Sequence, residues 1–191
     1  MGESNNTRSR GCCCNSASSC CSSSNDKKQE GVETEKRKLN IDFMYLDLAV
    51  CGPCRGTDKS LEEAVSEVAH VLRAANIEVV VNKINVTSEE QAKELGFISS
   101  PTISVNGHDI QLDVKESLCE SCEELCGDNV DCRVWVYQGK EYTVPPKAMI
   151  IEAILKEVYG KNNGYPAAVG KIQDIPDNLK RFFAARSKKM L

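Results

Sequence analysis

The sequence predicts an α/β domain in which a cysteine pair lies between the first strand and the first helix. The pair, Cys51 and Cys54, follows an apolar, strand-like run over residues 41–50. An amphipathic helix, a second strand and a second helix are predicted after it, before Pro101. Strands that alternate with helices are typical of an α/β fold. A spacing of two residues suits a redox dithiol or a metal site, and the strand-then-helix context favours the dithiol.

The periodicity of the chain predicts the elements that follow the pair. Apolar residues recur at helical spacing along one face of the first helix; they are Leu61, Ala64, Val65, Val68, Val71, Leu72 and Ala75. Residues 77–86 are rich in β-branched side chains and predict the second strand. A capping-box pattern over residues 88–91 then starts a short helix, and Gly96 ends it.

The second half of the domain is predicted to contain three strands and a helix. Residues 102–105 predict a strand, and residues 133–137 and 141–144 flank a turn in the manner of a hairpin. A Pro-Pro pair then opens a helix that runs through Leu155.

Composition divides the chain into three parts. Residues 39–160 carry the periodic patterns and form the folded domain. Residues 1–38 are rich in Ser, Asn, Lys and Glu, and they contain too few large apolar side chains to fold, which predicts a disordered tail. Residues 161–191 form an extension with one short helix. Three apolar side chains are expected to dock that helix on the domain: Leu179, Phe182 and Phe183.

The tail is unusual in carrying five cysteines in an otherwise polar stretch. They are Cys12, Cys13, Cys14, Cys20 and Cys21. Thiolates in an accessible, flexible segment are soft ligands that suit Cu(I), Zn(II) or another thiophilic metal or metalloid ion. Low-complexity drift is the alternative interpretation, and no spacing in the tail selects a particular ion.

An insertion of about residues 107–132 carries four more cysteines. They are Cys119, Cys122, Cys126 and Cys132. The first three fall at one face of a single helix, so they can converge on an ion with Cys132 as the fourth ligand. The spacing matches no zinc-ribbon pattern. A relay of exchanging thiols and a set of structural thiols therefore stay open beside the metal site.

Charge and hydropathy exclude several classes of function. The net charge is −4 and the basic residues form no stripe, which argues against binding to nucleic acid or to an anionic membrane surface. The first 40 residues contain no apolar run of the kind that a signal peptide or a transmembrane span requires. We therefore expect a reducing, cytoplasmic location, where cysteines are more often catalysts or metal ligands than structural disulfides.

Several motifs resemble known families. Cys51-x-x-Cys54 together with Pro101-Thr102 is similar to the thioredoxin superfamily over about residues 40–160. The spacing from Cys51 through Thr57 to Leu61 is similar to glutaredoxin. Further motifs look like a thioredoxin-like domain-of-unknown-function family; they are residues 99–103, Asn106-Gly107, Cys119-Glu120-Ser121-Cys122, Asp131-Cys132-Arg133, Tyr142 and Pro145-Pro146.

The resemblance implies a thioredoxin-like fold with a central mixed sheet flanked by helices. It also implies a cis peptide bond before Pro101, beside Cys51, which leaves the preceding backbone groups available to an extended substrate. By the same analogy, Cys51 is the nucleophile and Cys54 is the resolving thiol. Three positions depart from thioredoxin: Val50 replaces a tryptophan, Arg55 replaces a lysine, and Tyr45 stands where a buried acid is expected.

The nucleophile of such a site must be partly ionised near neutral pH. A helix that begins at the dithiol supplies the positive end of its dipole, and Arg55 supplies a nearby cation. A second capping-box pattern over residues 60–63 leaves open a helix start nine residues after Cys51, where the dipole would contribute little.

Three functions follow as hypotheses. The leading one is a thiol–disulfide oxidoreductase that needs no cofactor and acts on a protein or small-molecule disulfide. The second is a binding protein for soft metals or metalloids such as arsenic, mercury or zinc. The third is a redox-sensing interaction module.

Overall fold

The structure is a computed structural model that describes residues 36–118, 130–160 and 170–189. Within these ranges the chain forms seven strands and four helices. The strands are β1 (Arg37–Tyr45), β2 (Ile77–Asn85), β3 (Thr102–Val105), β4 (His108–Asp109), β5 (Lys115–Leu118), β6 (Asp131–Tyr137) and β7 (Lys140–Tyr142). The helices are α1 (Gly52–Ala74), α2 (Glu89–Leu95), α3 (Lys147–Tyr159) and α4 (Asp177–Lys189).

A mixed four-stranded sheet carries the dithiol. Its strand order is β2-β1-β3-β4, with β2 parallel to β1 and β3 antiparallel to it. Strands β5, β6 and β7 form a second, antiparallel sheet in that order. The predicted α/β fold with a mixed sheet is therefore confirmed, and the predicted hairpin corresponds to β6 and β7.

Side chains of β1 alternate between the two faces of the sheet and so divide the core. Leu39, Ile41 and Phe43 pack in one cluster with α1 and α3. Met44 belongs to a second cluster, on the side of α2 and α4. We call this second set the dithiol cluster; its buried members are Met44, Leu46, Cys51, Cys54, Val86, Ala92, Phe97, Val130, Cys132, Ile175, Leu179, Phe182, Phe183 and Ala185.

The apolar stripe of α1 is narrower than the sequence predicts. Four of its predicted members are buried, namely Leu61, Ala64, Val68 and Leu72. Val71 is 56% exposed and Ala75 is exposed too, so the prediction is wrong for these two residues. At about 100° per residue, Val71 lies about 65° from the mean direction of the four buried residues, at the edge of the stripe. Ala75 is the C-cap, where the helix ends.

The second sheet is attached to the first through the side chain of Gln111. Its amide oxygen accepts a hydrogen bond from the backbone N–H of Val136 at 2.6 Å, and its amide nitrogen donates to the carbonyl of Val134 at 3.0 Å. One side chain thus makes the pair of hydrogen bonds that a neighbouring strand would make, and it holds β6 beside the end of β4.

Parts of the sequence interpretation lie outside the described residues. These are residues 1–35 of the predicted tail and the segment 119–129, which holds three of the insertion cysteines. The predicted end of the tail at residue 38 is two residues too late, because β1 begins at Arg37. Among the helices that the structure does describe, none combines the length and the apolarity that a membrane crossing requires.

Candidate functional site

A short turn connects β1 to α1 and ends at the dithiol. One carboxylate oxygen of Asp47 accepts hydrogen bonds from the backbone N–H groups of Ala49, at 2.7 Å, and Val50, at 2.8 Å. Arg55 donates from its guanidinium to the carbonyl of Ala49 at 2.8 Å. Asp47 and Arg55 therefore shape the turn that precedes Cys51, each through its side chain.

Cys51 is the N-cap of α1. The helix begins at Gly52, and the backbone N–H of Cys54 donates to the sulfur of Cys51 at 3.3 Å. The late helix start that residues 60–63 suggest is wrong, because the hydroxyl of Ser60 donates to the carbonyl of Pro145 at 2.7 Å instead of capping a helix. Cys51 thus lies at the positive end of a 23-residue helix, a setting that stabilises a thiolate.

Both sulfurs of the dithiol are buried. Cys51 is 1% exposed and Cys54 is 0% exposed. The two residues are thiols and are not joined by a disulfide. The site is therefore a reduced dithiol enclosed by its own cluster of side chains.

The hydroxyl of Ser100 contacts the second thiol. Its oxygen lies 3.5 Å from the sulfur of Cys54, and it accepts a hydrogen bond from the backbone N–H of Leu46 at 3.3 Å. Ser100 is itself 2% exposed. A buried hydroxyl therefore links the segment that follows β1 to the second cysteine of the dithiol.

The pKa of the Cys54 thiol is raised far above its ordinary value. The main cause is the hydrogen bond between the side chains of Cys54 and Cys51; burial and the charge of Cys51 add to it. The Ser100 hydroxyl and a backbone hydrogen bond from Asp47 oppose the shift. Cys54 therefore holds its proton in the reduced site and offers it to the sulfur of Cys51.

The Ser100–Pro101 peptide bond is cis, as the resemblance implies. The carbonyl groups of this loop have hydrogen-bond partners within the chain. The carbonyl of Ser100 accepts from the backbone N–H of Arg133 at 2.8 Å, and the carbonyl of Ser99 accepts from the hydroxyl of Thr102 at 2.7 Å. Each of these carbonyls therefore already accepts one hydrogen bond within the chain. The pairing of an extended substrate with the backbone groups before Pro101 stays a prediction.

The side chain of Arg133 holds β6 against the loop that contains Pro101. Its guanidinium forms a two-pronged ion pair with Asp109, at 2.8 and 2.9 Å, and donates to the hydroxyl of Thr102 at 2.8 Å. It also lies over the ring of Trp135, 4.8 Å from the ring centre. Burial raises the pKa of Asp109, while the guanidinium of Arg133 opposes that shift.

A family model with the description of a domain of unknown function, DUF2703, matches residues 39–154. The match covers more than half of the 191 residues. The chain belongs to the DUF2703 family. This confirms the expected resemblance to a domain-of-unknown-function family. No curated protein and no solved structure matches the chain.

The matched DUF2703 range includes every residue of the site described above, and it ends before α4. Helix α4 nevertheless contributes to the dithiol cluster. The three side chains assigned to docking, Leu179, Phe182 and Phe183, are all buried there.

The metal hypothesis finds little support in the residues that the structure describes. Within residues 36–118, 130–160 and 170–189, no three His, Cys, Asp or Glu side chains converge on a position for a metal ion. Cys132 is buried in β6 and belongs to the dithiol cluster. The other eight cysteines of the hypothesis lie outside the described residues: Cys12, Cys13, Cys14, Cys20, Cys21, Cys119, Cys122 and Cys126. Soft-metal binding and redox sensing both stay predictions.

The sequence singles out Cys51, Cys54 and Pro101 but not the polar residues that the structure places around them. Ser100 has one usable signal, a hydroxyl directly before Pro101. Arg133 has a clearer signal, because it is a charged residue inside an otherwise apolar strand.

Proposed function

We propose that this chain is a thioredoxin-like thiol–disulfide oxidoreductase acting on a protein or small-molecule disulfide. The observation that carries the proposal is the position of Cys51, which caps α1 and receives the N–H of Cys54 on its sulfur. A thiolate at a helix N-terminus is the species that attacks disulfides.

The arrangement around the dithiol supports the same conclusion. The cysteine pair lies at the start of α1, the first element after β1. A cis proline directly precedes β3, the strand that pairs with β1. These are the two features that the thioredoxin resemblance implies for a redox site. Both belong to the range that defines the DUF2703 domain.

The proposed reaction has two steps. The Cys51 thiolate attacks one sulfur of the substrate disulfide, which forms a mixed disulfide and releases the other substrate sulfur as a thiolate that takes up a proton. Cys54 then loses its proton and attacks the sulfur of Cys51. The Cys51–Cys54 disulfide forms, the bond to the substrate breaks, and the second substrate thiolate takes up the proton.

Burial sets a condition on the first step. Because Cys51 is 1% exposed, a substrate sulfur reaches it only when the dithiol cluster opens locally. A small disulfide needs a smaller opening than a folded protein does. Glutathione disulfide is therefore a suitable first probe.

The chain offers a convenient readout of both steps. Trypsin cleaves after Lys38 and Arg55, so residues 39–55 form one peptide that holds Cys51 and Cys54 and no other cysteine. The reduced full-length protein is mixed with glutathione disulfide, quenched with acid, alkylated and digested, and the mass of this peptide is followed with time. We expect a glutathione adduct that rises and then decays into the internal disulfide.

Variants assign the roles of the two thiols. Cys54→Ser should accumulate the adduct, and Cys51→Ser should form neither adduct nor internal disulfide. Cys132→Ser is the matched control, because it removes another buried thiol of the same cluster that the reaction does not use. The proposal is overturned if the wild-type peptide stays reduced, or if Cys51→Ser exchanges at the wild-type rate.

A further inference from the structure

A chain of hydrogen bonds runs through the dithiol. It begins at the backbone N–H of Leu46, passes through the hydroxyl of Ser100 to the sulfur of Cys54, and ends at the sulfur of Cys51. The backbone nitrogen of Leu46 lies 3.3 Å from the hydroxyl oxygen of Ser100, and that oxygen lies 3.5 Å from the sulfur of Cys54. Every residue that takes part in this series of hydrogen bonds is buried.

The available protons give the chain a direction. Leu46 has only an N–H to offer, so the Ser100 oxygen accepts from it and keeps its own O–H for another partner. Once Cys54 is a thiolate it has no proton to donate. In that state the contact between Ser100 and Cys54 is a hydrogen bond from the hydroxyl to the sulfur.

We propose that Ser100 is a positioning residue for the second step, in which its hydroxyl donates the hydrogen bond that stabilises the Cys54 thiolate during attack on Cys51. This inference rests on the proposed function. It assigns to Ser100 an effect on the thiolate of Cys54, whereas the N-terminus of α1 stabilises the thiolate of Cys51.

The first step of the reaction increases the importance of this hydrogen bond. When Cys51 enters a mixed disulfide, it no longer carries charge or receives the proton of Cys54, so the largest cause of the raised Cys54 pKa disappears. Burial then remains to raise the pKa, and it is opposed by Ser100 and by the backbone N–H of Asp47. The formation of the adduct thus prepares Cys54 to ionise.

In the part of the chain that the structure describes, no carboxylate side chain is a partner of Cys54. The carboxylate of Asp47 faces the backbone of Ala49 and Val50 in the preceding turn. The titratable groups that share the dithiol cluster with Cys54 are the thiols of Cys51 and Cys132, and the phenol of Tyr45 packs against the cluster. A neutral hydroxyl is therefore the side chain placed to stabilise a charge on Cys54.

Atoms and electrons balance in the assisted step. The proton of Cys54 ends on the departing substrate thiolate, the Cys54–Cys51 bond forms, and the bond from Cys51 to the substrate breaks. Ser100 keeps its proton throughout, since it donates a hydrogen bond and is not consumed. The two electrons that reduce the substrate come from the two cysteines.

The test compares Ser100→Ala with Ser100→Thr in the full-length protein. Glutathione disulfide is the probe, and the peptide of residues 39–55 reports the adduct and the internal disulfide. We expect Ser100→Ala to lengthen the lifetime of the adduct about tenfold, the size that one hydrogen bond to a charged group supports. Ser100→Thr retains a hydroxyl and should restore a lifetime near that of the wild type.

A general structural disturbance would give a different pattern. The rate at which the adduct first forms reports Cys51, and we expect it to stay unchanged in Ser100→Ala. Equal slowing of both steps, or decay of the adduct at the wild-type rate, would overturn the role of Ser100. Absence of any adduct in the wild type would instead contradict the proposed function.

A second measurement tests Ser100 without a substrate. In a Cys51→Ala background, the pH dependence of Cys54 alkylation reports the ionisation of that thiol directly. Adding Ser100→Ala should move the half-reactive pH upward by about one unit, because the thiolate loses a donor. An unchanged pH profile would overturn the inference whether or not the protein reduces disulfides.

Discussion

Arg133 is a fully buried cation whose partners come from several elements of the domain. It binds the carboxylate of Asp109 at the end of β4 and the hydroxyl of Thr102 at the start of β3. Its own backbone N–H donates to Ser100, next to the dithiol. Because a buried charge must be paired, the position of β6 against the cis-proline loop depends on this ion pair.

We expect Asp109→Asn to lower the free energy of unfolding by about 3 kcal/mol or more, since it leaves the guanidinium of Arg133 buried without an opposite charge. Urea unfolding of the wild type and the variant measures the change. Glu63→Gln is the matched control, because Glu63 pairs with Lys59 at 3.9 Å on the surface. That change should cost less than about 1 kcal/mol. Similar costs for the two variants would contradict the importance of the buried pair.

Helix α1 lies close to the connection between β7 and α3 because Gly56 has no side chain. A Cβ atom at Gly56 would lie 2.4 Å from a γ-methyl carbon of Val144. Ser60, one turn further along, donates to the carbonyl of Pro145 in the same connection. The glycine that weakens the helix in isolation thus allows the first turn of α1, which carries the dithiol, to pack against the domain.

Gly56→Ala should therefore destabilise the protein by roughly 1–3 kcal/mol through overpacking, although alanine favours a helix interior by about 1 kcal/mol. Thermal or urea unfolding measures the change. Val144→Ala makes room for the new methyl group, so the double variant should be more stable than the sum of the two single effects predicts. Strict additivity would show that the close approach does not limit this position.

At the scale of the whole molecule, the dithiol is shielded by residues that are far apart in the sequence. The dithiol cluster combines the end of β1, the start of α1, residues near α2, the start of β6 and one face of α4. Helix α4 lies beyond the range matched by the family model. A segment outside the defining domain therefore helps to bury the reactive thiols.

We expect Phe182→Ala to destabilise the protein by about 3–5 kcal/mol, because Phe182 is a fully buried aromatic residue of that cluster. The variant should also alkylate faster at Cys51, since local opening of the cluster costs less. Iodoacetamide labelling under native conditions, read from the peptide of residues 39–55, measures this rate. Ala184→Ser, at an exposed position of the same helix, should leave it unchanged. An unaltered rate in Phe182→Ala would show that α4 does not control access to the dithiol.

Much of the fold was predictable because its signals are local. Periods of two and of about 3.6 residues located the strands and helices, and the cysteine spacing located the dithiol. Val71 shows the limit of this reasoning, since its spacing fits the stripe while its exposure depends on how far the core extends around α1. The helix start at Gly52 shows another limit, because the capping-box pattern over residues 60–63 competed with a start at the dithiol. The hydroxyl of Ser60 contacts Pro145 instead of capping the helix.

The sequence by itself determined the order of the elements, the dithiol and the proline that precedes β3, since each depends on residues near one another in the chain. The tertiary structure alone decided what surrounds the thiols. Ser100 contacts Cys54 across 46 positions and Leu46 across 54, and β6 reaches the carbonyl of the same serine from further along the chain. Such contacts leave no periodic trace in the sequence. They arise only when folding removes water from the groups involved and each buried donor and acceptor takes the nearest partner.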